Sequence, residues 1–305
     1  MTLNDARAKD KRFALFACIA FVLAIILYVV SSQIAGDTGR KSAFSGDLVF
    51  ADVTSTPQVI RITTNRSDYQ LRNVDGVWVM PEKADYPVQI DKIEQMLNAI
   101  ASARFTDAKT ALPERHDALG LGDPMSGGTG ALITLPGLDE TGAVIGEKRG
   151  LAYGRRGNND QTWQVDALFP ALHSANWWLD FSGVFPRPSS AVQSVEIRSG
   201  DGESLQKITP SEIEALGPED MILLEAASSQ RVLDVASLDE IGTLSPVLSH
   251  TTRFQDGREL TLTLYDRSGR SWAHITGSAL DAPELVEGRV FQLDPITASD
   301  LIPSE

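Results

Sequence analysis

The sequence contains one cysteine, Cys18, and four histidines among its 305 residues. A single thiol closes no intrachain disulfide and rules out zinc sites built on cysteine pairs. Metal chemistry would have to rest on carboxylates, so neither a metal nor a cofactor is expected. Basic side chains are also scarce, with 27 Lys and Arg against 41 Asp and Glu, a net charge of −14. Residues 1–12 hold four of the basic and two of the acidic groups, net +2, so the remainder carries 23 against 39, a net of −16. Phosphate backbones are bound by clustered Lys and Arg, which excludes nucleic acid as an expected partner. Catalytic signatures are missing too. There is no phosphate loop ending in Gly-Lys-Ser/Thr, no His-Glu-x-x-His pair and no Gly-x-Ser-x-Gly elbow. Gly120 and Gly122 do not make a dinucleotide fingerprint, because Met125 stands where the third glycine belongs. No catalytic residue is therefore assigned, and a non-enzymatic role is expected.

One long apolar run is present. Residues 13–30 carry no charge, and the run weakens through Ser31, Ser32 and Gln33 to Ile34. About 20 apolar residues cross a hydrocarbon core of roughly 30 Å, so residues 13–34 read as a transmembrane helix. The run is longer than the apolar core of a signal peptide and lacks a good cleavage site. Four basic residues precede it and only Arg40 and Lys41 closely follow, which predicts a cytoplasmic N-terminus. The expected layout is a cytoplasmic tail (1–12), a single-pass inner-membrane helix (13–34), a small-residue linker (35–50) and an acidic periplasmic part. That part divides into a first repeat (51–188) and a second (189–305).

Alternating apolar residues predict strands at 59–63, 69–71, 77–79, 131–135, 148–153, 162–165 and 192–197. Ile93, Met96, Leu97 and Ile100 follow helical spacing, with Asp91 and Glu94 placed as a capping box. Asp166 is expected to cap a helical turn running to Leu172. A capping box from Thr209, with Pro210 and Glu212, and another at Ser237 and Glu240 open further helix patterns, the latter interrupted by Pro246. The halves look related. Arg104-Phe105-Thr106-Asp107 resembles Arg253-Phe254-Gln255-Asp256, residues 131–135 resemble 259–263, and Trp163-Gln164-Val165-Asp166 resembles Phe291-Gln292-Leu293-Asp294. The fold class is therefore α+β, with two related β-rich halves after the membrane helix, each a largely antiparallel sheet with a packed helix.

Interaction candidates are few. Trp177 and Trp178 could stack on a sugar or rest at a membrane interface, or they could fill the core beside Leu179 and Phe181. Arg155 and Arg156 form the one basic turn of an acidic region, read either as an anion contact or as a solvated hairpin tip. His116 and Asp117 are adjacent, which does not require their side chains to meet.

The N-terminal apolar span, the strand–turn–strand pattern Tyr69–Val79, Ala84-Asp85 ahead of the Ile/Leu-rich helix, Leu119-Gly120-Leu121-Gly122-Asp123-Pro124 and Trp163-Gln164-Val165 together resemble the DUF4340 family of bacterial membrane-anchored envelope proteins. The resemblance covers about residues 55–300. It implies association with an ABC transporter, through its permease or a gliding-motility-type auxiliary subunit, and transfers no active site. The competing expectation is a periplasmic glycan-binding or glycan-active protein using Trp177, Trp178 and carboxylates.

Overall fold

The computed structural model describes residues 46–303 apart from 51, 52, 54, 186–190, 210–223 and 229. The tail, the apolar span at 13–34, most of the linker and the helix expected from Thr209 onward lie outside the described residues. Among the described residues no helix is long and apolar enough to cross a membrane.

The first half alternates apolar and polar residues in short runs punctuated by turn residues, a pattern that favours hairpins. It gives β1 (Val59–Thr63), β2 (Asp68–Val74), β3 (Val77–Met80), β4 (Tyr86–Pro87), α1 (Ile90–Ser102), β5 (Phe105–Ala108), β6 (Ala131–Leu135), β7 (Asp139–Lys148), β8 (Leu151–Arg156) and β9 (Trp163–Val165). The second half gives β10 (Val192–Ser199), β11 (Ser204–Ile208), β12 (Val232–Ser237), β13 (Leu248–Phe254), β14 (Glu259–Asp266), β15 (Ser271–Thr276), β16 (Arg289–Leu293) and the short α2 (Pro295–Ser299). These strands form two antiparallel sheets, one of nine strands in the order β4-β3-β2-β1-β6-β7-β8-β9-β5 and one of seven in the order β11-β10-β13-β14-β15-β16-β12. The molecule is β-rich with few helices among its described residues. The β-rich, largely antiparallel sheets expected of the two halves are present, and the packed helix expected on each is found as α1 in the first, whereas the described residues of the second show only the short α2 at its end.

Helix α1 forms where the periodicity placed it. Ile93, Met96 and Ile100 are buried in the core. The predicted cap is wrong by position: Gln89 is the N-cap and makes no side-chain cap bond, while Asp91 lies in the first turn, where a carboxylate still favours the helix N-terminus. Asp166 does not start a helix; its carboxylate accepts the Arg104 N–H at 2.7 Å and so fastens the start of β5 to the end of β9. Ser237 and Glu240 do form a capping box, on a single 3-10 turn. The helix pattern that follows is cut short, and β13 begins at Leu248, two residues after Pro246.

Seven strands recur in the same order. Removing β3 and β4 from the first sheet leaves β2-β1-β6-β7-β8-β9-β5, which matches the second sheet strand for strand. This correspondence pairs β9 with β16, as the Trp163-Gln164-Val165-Asp166 similarity anticipated. It corrects the other two matches: β5 corresponds to β12 rather than to the end of β13, and β6 corresponds to β13 rather than to β14. Any two alternating strands resemble one another at period 2, so short strand matches slide easily by one strand.

The two sheets meet through the part that the first has in addition and through the segment after β9, where Asn176 donates to the Leu233 carbonyl at 3.0 Å and Phe181 packs on Phe291. Lys83 Nζ, just after β3, donates to both carboxylate oxygens of Asp234 in β12 at 2.7 and 2.9 Å. Arg289 of β16 donates to the Ala84 and Asp85 carbonyls at 3.0 and 3.4 Å. Tyr86 of β4 packs edge-on to Phe291 with ring centroids 5.8 Å apart. One continuous apolar core runs from Ile60 and Leu71 through Met96 to Leu262 and Phe291.

Two histidines are placed to make stability depend on pH. Burial pushes the imidazoles of His173 and His274 below their ordinary value, and the charge of Arg66 adds to the effect at His173. The unfolded chain takes up protons at about pH 6.5 that the folded chain refuses. Stability from these groups is full above that pH and is lost as the pH falls below it. Thermal melts across this window should show the decline, and His274→Gln should flatten it. An unchanged slope in that variant would remove His274 from the account.

Candidate functional site

Four of the residues singled out in the sequence lie on the two elements that flank β6 and β7. The connection from β5 to β6 is built from two 3-10 turns, Pro113–Leu119 and Pro124–Ser126, each opened by a proline whose missing N–H costs nothing there. Asp123 caps the second turn, accepting the Met125 N–H at 3.0 Å and the Ser126 hydroxyl at 3.1 Å. Gly122 lets the loop close on itself, since a Cβ there would lie 1.8 Å from Asp117 Oδ1. Against this loop lies the end of β8. The resulting cleft of about 430 Å³ is lined by His116, Asp117, Asp123, Arg155 and Asp160.

His116 and Arg155 are both buried, Arg155 at 7% exposure. His116 Nε2 pairs with the Asp160 carbonyl at 2.9 Å. Arg155 Nε donates to the Leu121 carbonyl, and Nη1 to the Arg156 and Gly157 carbonyls, all at 3.4 Å. Burial pulls the Arg155 guanidinium below its ordinary value, while the charges of Asp123 and Asp160 pull the other way. The solvated hairpin tip expected for Arg155 is thus corrected. The turn of that hairpin is Arg149-Gly150, between the paired Lys148 and Leu151, with φ of 55° and 75°. Two positive φ values suit a tight hairpin turn, and glycine at the second position is the part of that signal the sequence carries.

Arg156 points away from its neighbour, as alternation along a strand requires. Its Nη2 donates to the Leu48 carbonyl at 2.9 Å, and Nη1 lies 3.7 Å from Asp139. It ties β8 to the segment that enters the domain. Asp117 accepts the Thr129 N–H at the long distance of 3.5 Å. The cleft therefore joins His116, Asp117 and Arg155 and leaves out Arg156. Among the described residues no group of three or more His, Cys, Asp or Glu is placed to hold a metal ion.

The tryptophans lie elsewhere, on the 3-10 turn Ala175–Trp178. Trp178 is fully buried and donates from Nε1 to the Tyr69 hydroxyl at 2.9 Å, which donates in turn to the Leu172 carbonyl at 2.8 Å. Trp177 is 38% exposed and edge-on to Trp178. Lys92 Nζ sits 3.7 Å from its ring centroid, a cation–π contact that occupies one face. Trp178 is a core residue, Trp177 is covered on one face, and neither lines the cleft of His116.

No curated protein and no solved structure matches the chain. A family model described as a domain of unknown function, DUF4340, matches residues 78–241. The match starts in β3, takes in the cleft and both tryptophans, crosses from the first sheet into the second and ends beyond β12. It covers more than half of the sequence, and the chain belongs to the DUF4340 family.

Proposed function

We infer that this protein is a membrane-tethered, non-enzymatic accessory subunit of a bacterial envelope complex linked to an ABC transporter of the gliding-motility type. The apolar run at 13–34 holds it in the inner membrane. The acidic two-sheet region lies in the periplasm and contacts the extracytoplasmic part of a permease or auxiliary subunit. The observation that carries the reading is the state of the ionisable groups in the cleft. His116 and Arg155 are buried and engaged by main-chain carbonyls. Buried groups committed to main-chain partners fix the shape of a surface for recognition. The shared strand order supports descent of the two halves from one duplicated unit.

Two experiments test this. Native-level affinity capture of the detergent-solubilised full chain should recover an ABC permease or its auxiliary subunit, and recovery of no membrane protein would remove the reading. Protease added to spheroplasts should digest the two-sheet region; its complete protection would reverse the proposed orientation.

A further inference from the structure

The cleft beside β8 has a floor and a rim of different character. Leu132 pairs with Val144, and Val144 with Arg155, so the three stand side by side on one face of β6, β7 and β8 and form the floor. Asp117, Asp123 and Asp160, all exposed, form the rim. At about 430 Å³ the space falls in the range of small-molecule sites.

The floor holds a charge that the protein does not fully satisfy. Arg155 is buried, yet its Nε and Nη1 reach main-chain carbonyls only at 3.4 Å, beyond the usual range of about 2.7–3.2 Å for such a bond. Among the described residues Nη2 has no partner, and no rim carboxylate forms an ion pair with the guanidinium, although all of them line the same cleft. A buried charge is costly unless it is paired, and the idle edge of a guanidinium is completed by a carboxylate.

The rim selects what carries that carboxylate. Three negative groups against one positive group repel a simple anion, so the ligand needs an excess of positive charge. The Asp160 carboxylate accepts no hydrogen bond from a described residue, and Asp117 accepts only the long bond from Thr129. Both are left for ammonium groups. Beside Arg155, Leu132 and Val144 offer a strip on which methylenes can lie.

We propose that the cleft binds a free cationic amino acid, with one carboxylate and two ammonium groups. The carboxylate lies on Arg155, the methylenes on Leu132 and Val144, and the ammonium groups meet Asp117 and Asp160. This goes beyond the accessory role and does not depend on the identity of the transporter partner.

The test is calorimetric titration of the detergent-solubilised full chain with L-lysine, which should bind. Cadaverine keeps both amines and lacks the carboxylate, and it should bind about tenfold or more weakly. Hexanoate, which keeps the carboxylate alone, should not bind. Asp160→Asn alters an exposed side chain that holds no hydrogen bond, so folding is preserved, and it should lower the affinity for lysine several-fold. Arg155→Gln should bring lysine down to the level of cadaverine; if this buried substitution prevents folding, the comparison of lysine with cadaverine in the parental protein decides the same point. No binding of millimolar lysine, equal affinity for cadaverine, equal affinity for hexanoate, or an unchanged affinity in Asp160→Asn would each overturn the proposal. A chain that binds lysine but captures no membrane protein would keep the ligand and lose only the accessory role.

Discussion

Trp178→Ala is expected to lower the stability of the folded protein by about 3–5 kcal/mol. Domains of this kind unfold with roughly 5–15 kcal/mol in all, so the urea midpoint should fall by a large fraction of its value. The size of the effect comes from three losses at one position. The indole is fully buried, so its removal opens a cavity. Its edge contact with Trp177, at 5.5 Å between centroids, disappears. The Tyr69 hydroxyl loses its donor while still donating to Leu172. Tyr69→Phe separates the polar part from the packing part, because it leaves the Trp178 N–H and the Leu172 carbonyl unpaired in the interior. Its expected cost is about 1–3 kcal/mol. Since both residues belong to one hydrogen-bonded chain, the double variant should cost less than the two single losses added together. A Trp178→Ala protein that unfolds at the parental urea concentration would refute the assignment of this indole to the core.

Gly142→Ala should be comparably damaging, at about 3 kcal/mol or more, by a wholly different route. Gly142 lies in β7 at φ +60°, beside an irregularity in the pairing of β6 with β7. A Cβ there would come within 1.9 Å of the Ile133 carbonyl oxygen. That oxygen belongs to the neighbouring strand and cannot withdraw without breaking the ladder. The Gly142 N–H is committed to Asp139 at 2.8 Å, and its carbonyl accepts the Gly157 N–H at 3.0 Å, so rotation of the backbone is also blocked. Gly137 provides the control. It has φ +81° and nothing within 4 Å of a built Cβ, so Gly137→Ala meets only the left-handed strain of about 1 kcal/mol. Similar melting temperatures for the two variants would show that the close approach at Gly142 is not what restricts the position.

The sequence was easiest to read where a periodic pattern coincides with burial on one side. Ile60 and Ile62 alternate with Arg61, and β1 appears at 59–63 as expected. Asp75-Gly76, both at positive φ, close the β2–β3 hairpin between paired Val74 and Val77. Helix α1 follows its apolar spacing, although its N-cap lies two residues earlier, at Gln89 rather than Asp91. Side-chain chemistry was harder to read than backbone pattern. Asp166 has the look of a helix cap, but its carboxylate is engaged across 62 positions of sequence by the Arg104 N–H, a partner that local spacing cannot reveal. The register of the repeat was misread for a related reason: strands announce their period and not their place in the sheet. Arg155 and Arg156 are adjacent in sequence but not in space. The pleat sends one into a cleft and the other toward Asp139, and only the neighbouring turn at Arg149-Gly150 could have shown which strand they occupy.

Units that share a strand order can in principle be added head to tail without limit, as solenoid arrays are. Here, among the described residues, β3 and β4 occur in the first unit, and this part helps to join it to the second, through Lys83, Ala84, Asp85 and Tyr86. The second unit answers with different groups, the Asp234 carboxylate, the Arg289 guanidinium and the Phe291 ring. The joint is therefore heterologous: two units of like strand order meet through unlike surfaces, so neither can replace the other in it.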